Sequence, residues 1–197
     1  MKRLFDITLA ILLLIITAPL MLITAVMVLI FLGRPVFFIQ LRPGINGKPF
    51  RLYKFRSMKN IQSQHDSQLN DEQRLTWLGK KLRASSIDEL PELWNVLKGD
   101  MSMVGPRPLL MEYLPLYSEV QYRRHEVRPG LTGWAQINGR NSVDWNERLA
   151  MDVWYVDNRN MWLDLQILLK TVAVVLKSDG VSQDGQATMK PFQGNKQ

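Results

Sequence analysis

One uncharged apolar run, Ile7 to Leu32, constrains this chain more than any other feature. At about 1.5 Å per helical residue it is long enough to cross a ~30 Å hydrocarbon core. Its flanks argue against a simple crossing, because Lys2 and Arg3 precede it and Arg34, Arg42 and Lys48 follow it. Basic residues favour the cytoplasmic side, so positive charge at both ends disfavours placing them on opposite sides. Pro19 stands at the midpoint. Proline removes a backbone donor and clashes with the carbonyl four residues back, which bends a helix. Split there, each limb of about a dozen residues reaches only ~18–20 Å. The expectation is a re-entrant membrane helix over residues 1–33, broken at Pro19, that enters and leaves by one face. Thr17, one turn from the freed carbonyls, is placed to help satisfy them. The rival readings are a single-pass anchor with a tolerated kink, a cleaved signal peptide and a buried core helix. A signal peptide fits poorly, since the run exceeds the usual ~7–15 residues and no small-x-small site follows it.

Composition agrees with a membrane surface. The 25 Lys and Arg outnumber 18 Asp and Glu, for a net charge of +7. That balance suits anionic headgroups or a phosphate-bearing substrate, and equally a nucleic acid. No cysteine occurs among 197 residues, which fits a reducing compartment or indifference to disulfides. The remainder is enough for one compact domain, expected over 34–180. His65 to Gln73 reads as a polar surface loop. The Gly-, Ser-, Gln- and Asn-rich stretch from Ser178 onward, with a polar tail over 181–197, reads as loosely ordered.

The expected fold class is α+β, mostly helical, with amphipathic interface helices and a small sheet. Phe50 to Met58 follows a Pro-Gly-Ile-Asn-Gly turn region and reads as a strand, with Lys54 and Arg56 on one face. Ile87 to Lys98 reads as a helix with an apolar stripe of Ile87, Leu90, Trp94 and Leu97, stopped by Gly99. Ser86 to Glu89 has the form of a capping box, although Pro91 fits better if the helix starts a residue or two later. Val104 to Pro108 must be extended. Leu109 to Arg124 is expected to be helical, Arg128 to Gly133 a loop, and Trp134 to Ile137 a short strand-like piece. Asp144 to Asn158 and Trp162 to Lys177 read as two further helices. Trp94, Trp145, Trp154 and Trp162 fall in helical segments, each open to core packing or to a place at the headgroup level.

Asp88-Glu89 is the first chemical candidate. Carboxylates at a helix N-terminus are ordinary on dipole grounds, so the inventory around them carries the argument. Arg83 lies five residues before, Arg107 is held in a rigid Pro-Arg-Pro, and Arg128 precedes Pro129-Gly130. Arginines fixed in turns suit bidentate phosphate binding, and Lys54 and Arg56 offer two more cations. Carboxylates beside such cations suit Mg²⁺, which binds through one or two carboxylates plus substrate phosphates. No P-loop, dinucleotide fingerprint or Cys/His cluster is present in the sequence. His125 reads as a helix-end residue rather than a general base.

Taken in order, Lys54-Phe55-Arg56-Ser57-Met58, Ser86 to Leu93, Asn95 to Ser102, Gly105-Pro106-Arg107-Pro108 and Arg128 to Gly133 resemble the motif series of the bacterial sugar transferases, the monotopic phosphoglycosyl transferases. The resemblance covers nearly the whole chain, and its length and lone N-terminal apolar segment are similar to the minimal members. It implies transfer of a sugar 1-phosphate from a UDP-sugar, N-acetylated or diacetamido, to undecaprenyl phosphate with release of UMP, the first membrane step of glycan assembly. It further implies Asp88 as the covalent nucleophile, Glu89 beside it assisting Mg²⁺, and phosphate or nucleotide contacts from Lys54, Arg56, Arg83, Arg107 and Arg128. The family's helix breaks at a Ser-Pro pair, and Ala18-Pro19 stands in its place here. The implied setting is the cytoplasmic face of the bacterial inner membrane. Implied partners are membrane lipids and downstream glycosyltransferases, with no nucleic acid. The alternative is a non-catalytic, basic, membrane-tethered protein that binds anionic lipid or nucleic acid.

Overall fold

The computed structural model describes residues 1–59, 74–139, 143–177 and 191–194. Among the described residues the chain is mostly helical with two small sheets, in the order α1 (Lys2–Leu32), β1 (Phe37–Pro43), β2 (Pro49–Phe55), α2 (Trp77–Ala84), α3 (Glu92–Lys98), β3 (Ser102–Val104), α4 (Glu119–Tyr122), β4 (Gly130–Thr132), α5 (Trp134–Asn138), α6 (Trp145–Asn158) and α7 (Met161–Lys177). The expected α+β class holds. The expected loop over His65 to Gln73 lies outside the described residues.

α1 runs unbroken through Pro19, so the two expected limbs are one helix of about 46 Å contour. Thr17 donates to the Leu13 carbonyl at 2.7 Å, whereas the carbonyl that Pro19 leaves without its usual donor is that of Ile15. The middle of α1 is exposed, with Ile15 and Ile16 facing outward. Its two ends are not. Ala10 sits in the main core with Leu93, Val96, Met101, Met103, Val104, Tyr155 and Ile167. Val28 packs in a second core with Phe55, Leu78 and Leu82. Both ends of the apolar helix therefore dock on the same domain.

Polar contacts lock those ends. Asp6 accepts from the Ser102 hydroxyl at 2.8 Å and the Met103 amide at 3.2 Å. Lys2 bridges Asp6 at 3.1 Å and Asp164 at 2.8 Å. Asp164 accepts from the Tyr155 hydroxyl at 2.7 Å. At the other end, buried Arg56 donates to the carbonyls of Leu32, Gly33 and Arg34. These are carbonyls that a terminating helix leaves without partners.

β1 and β2 form an antiparallel hairpin pairing Phe37 with Phe55 and Pro43 with Pro49. Asn95 closes the outer edge of β2 by accepting from the Tyr53 amide and donating to the Arg51 carbonyl. β3 and β4 pair in parallel, Ser102 with Gly130 and Val104 with Thr132. Their crossing explains two glycines: a Cβ at Gly130 would stand 2.0 Å from the Gly105 nitrogen, and one at Gly105 would stand 2.4 Å from the Arg128 carbonyl oxygen. Only hydrogen side chains permit that approach.

Several local expectations are corrected. Ser86 adopts a left-handed backbone and its hydroxyl makes no cap, so the capping box is absent. A 3-10 turn spans Ile87–Glu89, and α3 begins at Glu92, after Pro91. α3 buries Leu93 and Val96 together with Glu92 and Asn95, while Trp94 is 55% exposed. The apolar stripe thus lies one position away from the expected one. Leu109 to Arg124 is not one helix: Met111–Leu116 and Arg123–His125 are 3-10 segments around the short α4. Ser118 forms a true capping box with Gln121 and starts a new element there. Trp134 opens helix α5 rather than a strand, and Gly130–Thr132 is strand β4 inside the expected loop. The tail is also pinned at one point. Phe192 is buried against Tyr113, Tyr117 and Trp145 at ring separations of 5.5–5.7 Å.

Candidate active site

The 3-10 turn before α3 sets Asp88 and Glu89 between three other elements. Lys54 arrives from the end of strand β2, Arg83 from the end of α2, and Arg107 from the extended Pro-Arg-Pro segment after β3. The Lys54 ammonium donates to Glu89 Oε1 at 2.7 Å. Arg107 donates to the same oxygen through Nη2 at 2.5 Å and to Oε2 through Nη1 at 3.4 Å, a skewed fork. Arg124 holds the Arg107 carbonyl at 2.7 Å while pairing with Asp152 through Nε at 3.1 Å and Nη2 at 2.8 Å. The flanking prolines and this buried ion pair fix Arg107 before any ligand arrives. Arg83 anchors its Nε on the Ser57 hydroxyl at 3.0 Å, with its charge close enough to act on Asp88.

Glu89 and Asp88 are treated differently. Burial alone would raise the Glu89 carboxyl, but the charges and hydrogen bonds of Arg107 and Lys54 outweigh it and hold the group well below the usual carboxylate range. Asp88 is 6% exposed, and among the described residues no group hydrogen-bonds its carboxylate. Burial, then repulsion from Glu89, pushes it up to about 6, against the pull of Lys54, Arg83 and Arg107. At neutral pH Asp88 is thus mostly ionised, desolvated and without a hydrogen-bond partner, which suits a nucleophile.

Of the residues the sequence singled out, Lys54, Arg83, Arg107, Asp88 and Glu89 converge. Arg56 and Arg128 stand elsewhere. Arg56 caps the C-terminus of α1, as described above. Arg128 donates to the Gly99 carbonyl at 2.8 Å, beside Arg3, which holds the Val96 and Leu97 carbonyls. That is the far end of α3 from the carboxylates. Pro19, in the exposed middle of α1, takes no part in this cluster.

Sequence reading missed Glu92, Arg124 and Asp152. Glu92 is 2% exposed and sits 3.0 Å from Lys54. Burial pushes its carboxyl up to about 7, with Lys54 opposing and Glu89 reinforcing the shift. The available signal was periodicity: Glu92 and Asn95 recur at the spacing of Leu93 and Val96, so they share the buried side. His125 matches its expected role at a helix end, buried and pushed down to about 4 by burial and by Arg124.

Among the described residues no group of three or more His, Cys, Asp or Glu side chains is arranged to hold a metal. A divalent cation here would rest on Asp88 and Glu89 and draw its other ligands from a substrate. Magnesium tolerates that sparse protein set.

A buried acid beside a second acid held by Lys54 and Arg107, with the Arg83 charge close by, makes a site whose chemistry suits phosphate groups. The sequence profile of the bacterial sugar transferases matches residues 1–178, and the chain belongs to that family. It is 56% identical to the sugar transferase EpsL of Bacillus subtilis, over 99% of this chain and 96% of that protein. It is 39% identical to the exopolysaccharide production protein ExoY of Sinorhizobium fredii, over 91% of this chain and 87% of the other. Identity is 42% to the undecaprenyl-phosphate galactose phosphotransferase of Salmonella typhimurium, across 91% of this chain but only 41% of that longer protein.

Proposed function

We propose that this sugar transferase moves a sugar 1-phosphate from a UDP-sugar to undecaprenyl phosphate through a covalent intermediate on Asp88. The relatives named as undecaprenyl-phosphate phosphotransferases support the general reaction. The unengaged, buried carboxylate of Asp88 beside a Glu89 held by Lys54 and Arg107 carries the assignment of roles.

In the first half-reaction an Asp88 oxygen attacks the β-phosphorus of the donor. The bond from that phosphorus to the bridging oxygen breaks, and UMP departs with the electron pair. In the second, a phosphate oxygen of the lipid attacks the same phosphorus, the aspartyl bond breaks, and the Asp88 carboxylate is restored. Splitting one transfer into two keeps each displacement simple. Lys54 and Arg107 sit where charge builds on the transferring oxygens, and Arg83 steadies the Asp88 side. Mg²⁺ on Asp88 and Glu89 would supply further neutralisation of phosphate charge.

α1 supports a one-sided placement at the inner membrane with the domain in the cytoplasm. Its ends rest on one domain while its exposed apolar middle stays available to lipid. The re-entrant arch and the access of a soluble nucleotide sugar to a lipid phosphate follow from that placement. The product would pass to downstream glycosyltransferases. Purified protein given UDP-sugars, Mg²⁺ and undecaprenyl phosphate should release UMP. With donor alone, intact mass should rise by one sugar phosphate. Full turnover in Asp88→Asn would sink the assignment.

A further inference from the structure

Phe192 lies far along the chain from the carboxylates, yet its seat adjoins the groups that hold Arg107. The ring is 4% exposed, in a small core with Leu109, Tyr113 and Leu149. It stacks on Tyr117 at 5.7 Å, meets Tyr113 edge-on at 5.7 Å and lies tilted against Trp145 at 5.5 Å. The tail thereby joins the 3-10 segment Met111–Leu116 to the start of α6.

Two routes lead from this core to Arg107. The first is the chain itself. Leu109 stands two residues after Arg107 and is buried in the cluster, which fixes where the Pro-Arg-Pro segment leaves the site. The second runs through Tyr117. Arg124 Nη1 donates to the Tyr117 hydroxyl at 3.4 Å, and the guanidinium carbon lies 5.7 Å from the centre of that ring. The remaining nitrogens of the same guanidinium hold Asp152 and the Arg107 carbonyl. Arg107 Nη2 in turn holds Glu89 Oε1 at 2.5 Å. Asp152 follows Leu149 by one turn of α6, so the acid that pairs with Arg124 is braced by the same small core.

A buried guanidinium with every nitrogen engaged accepts one geometry. Removing the Phe192 ring would leave Tyr113, Tyr117 and Trp145 facing a hole, and the neighbours of such a hole relax toward it. A shift of Tyr117 reaches Arg124 directly. A displacement of about 1 Å at a group that positions a substrate can cost a reaction up to ~10²-fold.

Resting on the reaction proposed above, we infer that Phe192 is a positioning residue for Arg107, acting through Tyr117 and Arg124 from the tail. It touches no reacting atom. Its seating sets the geometry in which Arg107 meets Glu89.

The test uses the full chain in detergent and the variant Phe192→Ala, with near-UV circular dichroism confirming the fold. Exchange of the Arg124 Nε proton with solvent is read by NMR of protein labelled with ¹⁵N-arginine, the signal being assigned by its loss in Arg124→Lys. In the wild type, Asp152 and burial should keep this exchange slow, and Phe192→Ala should speed it tenfold or more. UMP release at saturating donor should fall about tenfold in the same variant. In an Arg107→Lys background Phe192→Ala should bring little further loss, because the group it positions has already changed. Exchange at the wild-type rate in folded Phe192→Ala overturns the coupling. Faster exchange with unchanged kcat leaves Phe192 a structural residue only and overturns the positioning role, as does an equal loss of kcat with and without Arg107. If Phe192→Ala does not fold, Phe192→Leu keeps the seat filled while removing the three ring contacts, and the same outcomes decide. A wild type that releases no UMP sinks the proposed reaction separately, and the exchange measurement then decides the coupling by itself.

Discussion

Two clusters of buried acids in this molecule look alike in composition and differ in completion. In the first, Asp6 and Asp164 share Lys2, and their oxygens are met by the Ser102 and Tyr155 hydroxyls and the Met103 amide. In the second, Lys54 is shared by Glu89 and Glu92, while Asp88 has no hydrogen-bond donor among the described residues. The first cluster ties the start of α1 to β3 and α7, and every acid in it has donors. The second keeps one acid desolvated and pressed against another. Satisfied polar groups hold a fold together, and an acid left under electrostatic stress beside several cations is a candidate for chemistry.

The sharpest way to break this contrast is to exchange the consequences. Asp88→Asn should cut turnover on the order of 10⁴-fold or more. Its folding should hold or improve by about 1–3 kcal/mol at pH 7.5, because the native carboxyl sits above its unfolded value and ionising it opposes folding. UMP release and a denaturant titration read the two effects. Asp6→Ala should do the reverse. It strands the Ser102 hydroxyl, the Met103 amide and half the Lys2 pairing, and should cost about 3–5 kcal/mol in denaturant unfolding. An Asp6→Ala protein as stable as wild type would erase the distinction.

His125 sharpens the contrast through pH. Its folded pKa of about 4 lies below the unfolded value. The neutral ring therefore supports folding fully above about pH 6.5, and that support drains away as pH falls toward 4, by about 3 kcal/mol in all. His125→Gln should flatten that part of the stability curve between pH 7 and 4.5. The smallest effect is expected for Tyr155→Phe, which removes donation to Asp164 and to the Val104 carbonyl. A loss of about 1–2 kcal/mol with unchanged kcat is expected.

Much of this was legible in the chain. Helices α6 and α7 were visible because their apolar periodicity runs for several turns, and Asp144 caps α6 through the Glu147 amide. Arg107 was legible because its flanking prolines fix it locally, and Asp88-Glu89 because they stand at a turn, whereas Arg83 lies in helix α2 rather than in the expected turn and Lys54 in β2, both brought to the carboxylates by packing. What escaped has a common cause. β3 and β4 are three residues each and exist only through mutual pairing, so no local pattern announces them. β1 was missed although its partner was seen. Arg56 looked like a ligand residue because alternation along a strand gives a face and not what lies opposite it. Here the opposite wall is the end of α1. Glu92 was hidden by a helix stripe placed one residue off, with Trp94 assumed inward.

The seating of Ala10 and Val28 in two separate cores has a consequence for how the molecule is made. A helix that only tethered a domain could be cut away and leave a soluble enzyme. This one supplies packing at both ends, so removing it would open a hole beside Leu93 and another beside Phe55. Shortening α1 is therefore a change to both cores and not only the loss of a tether.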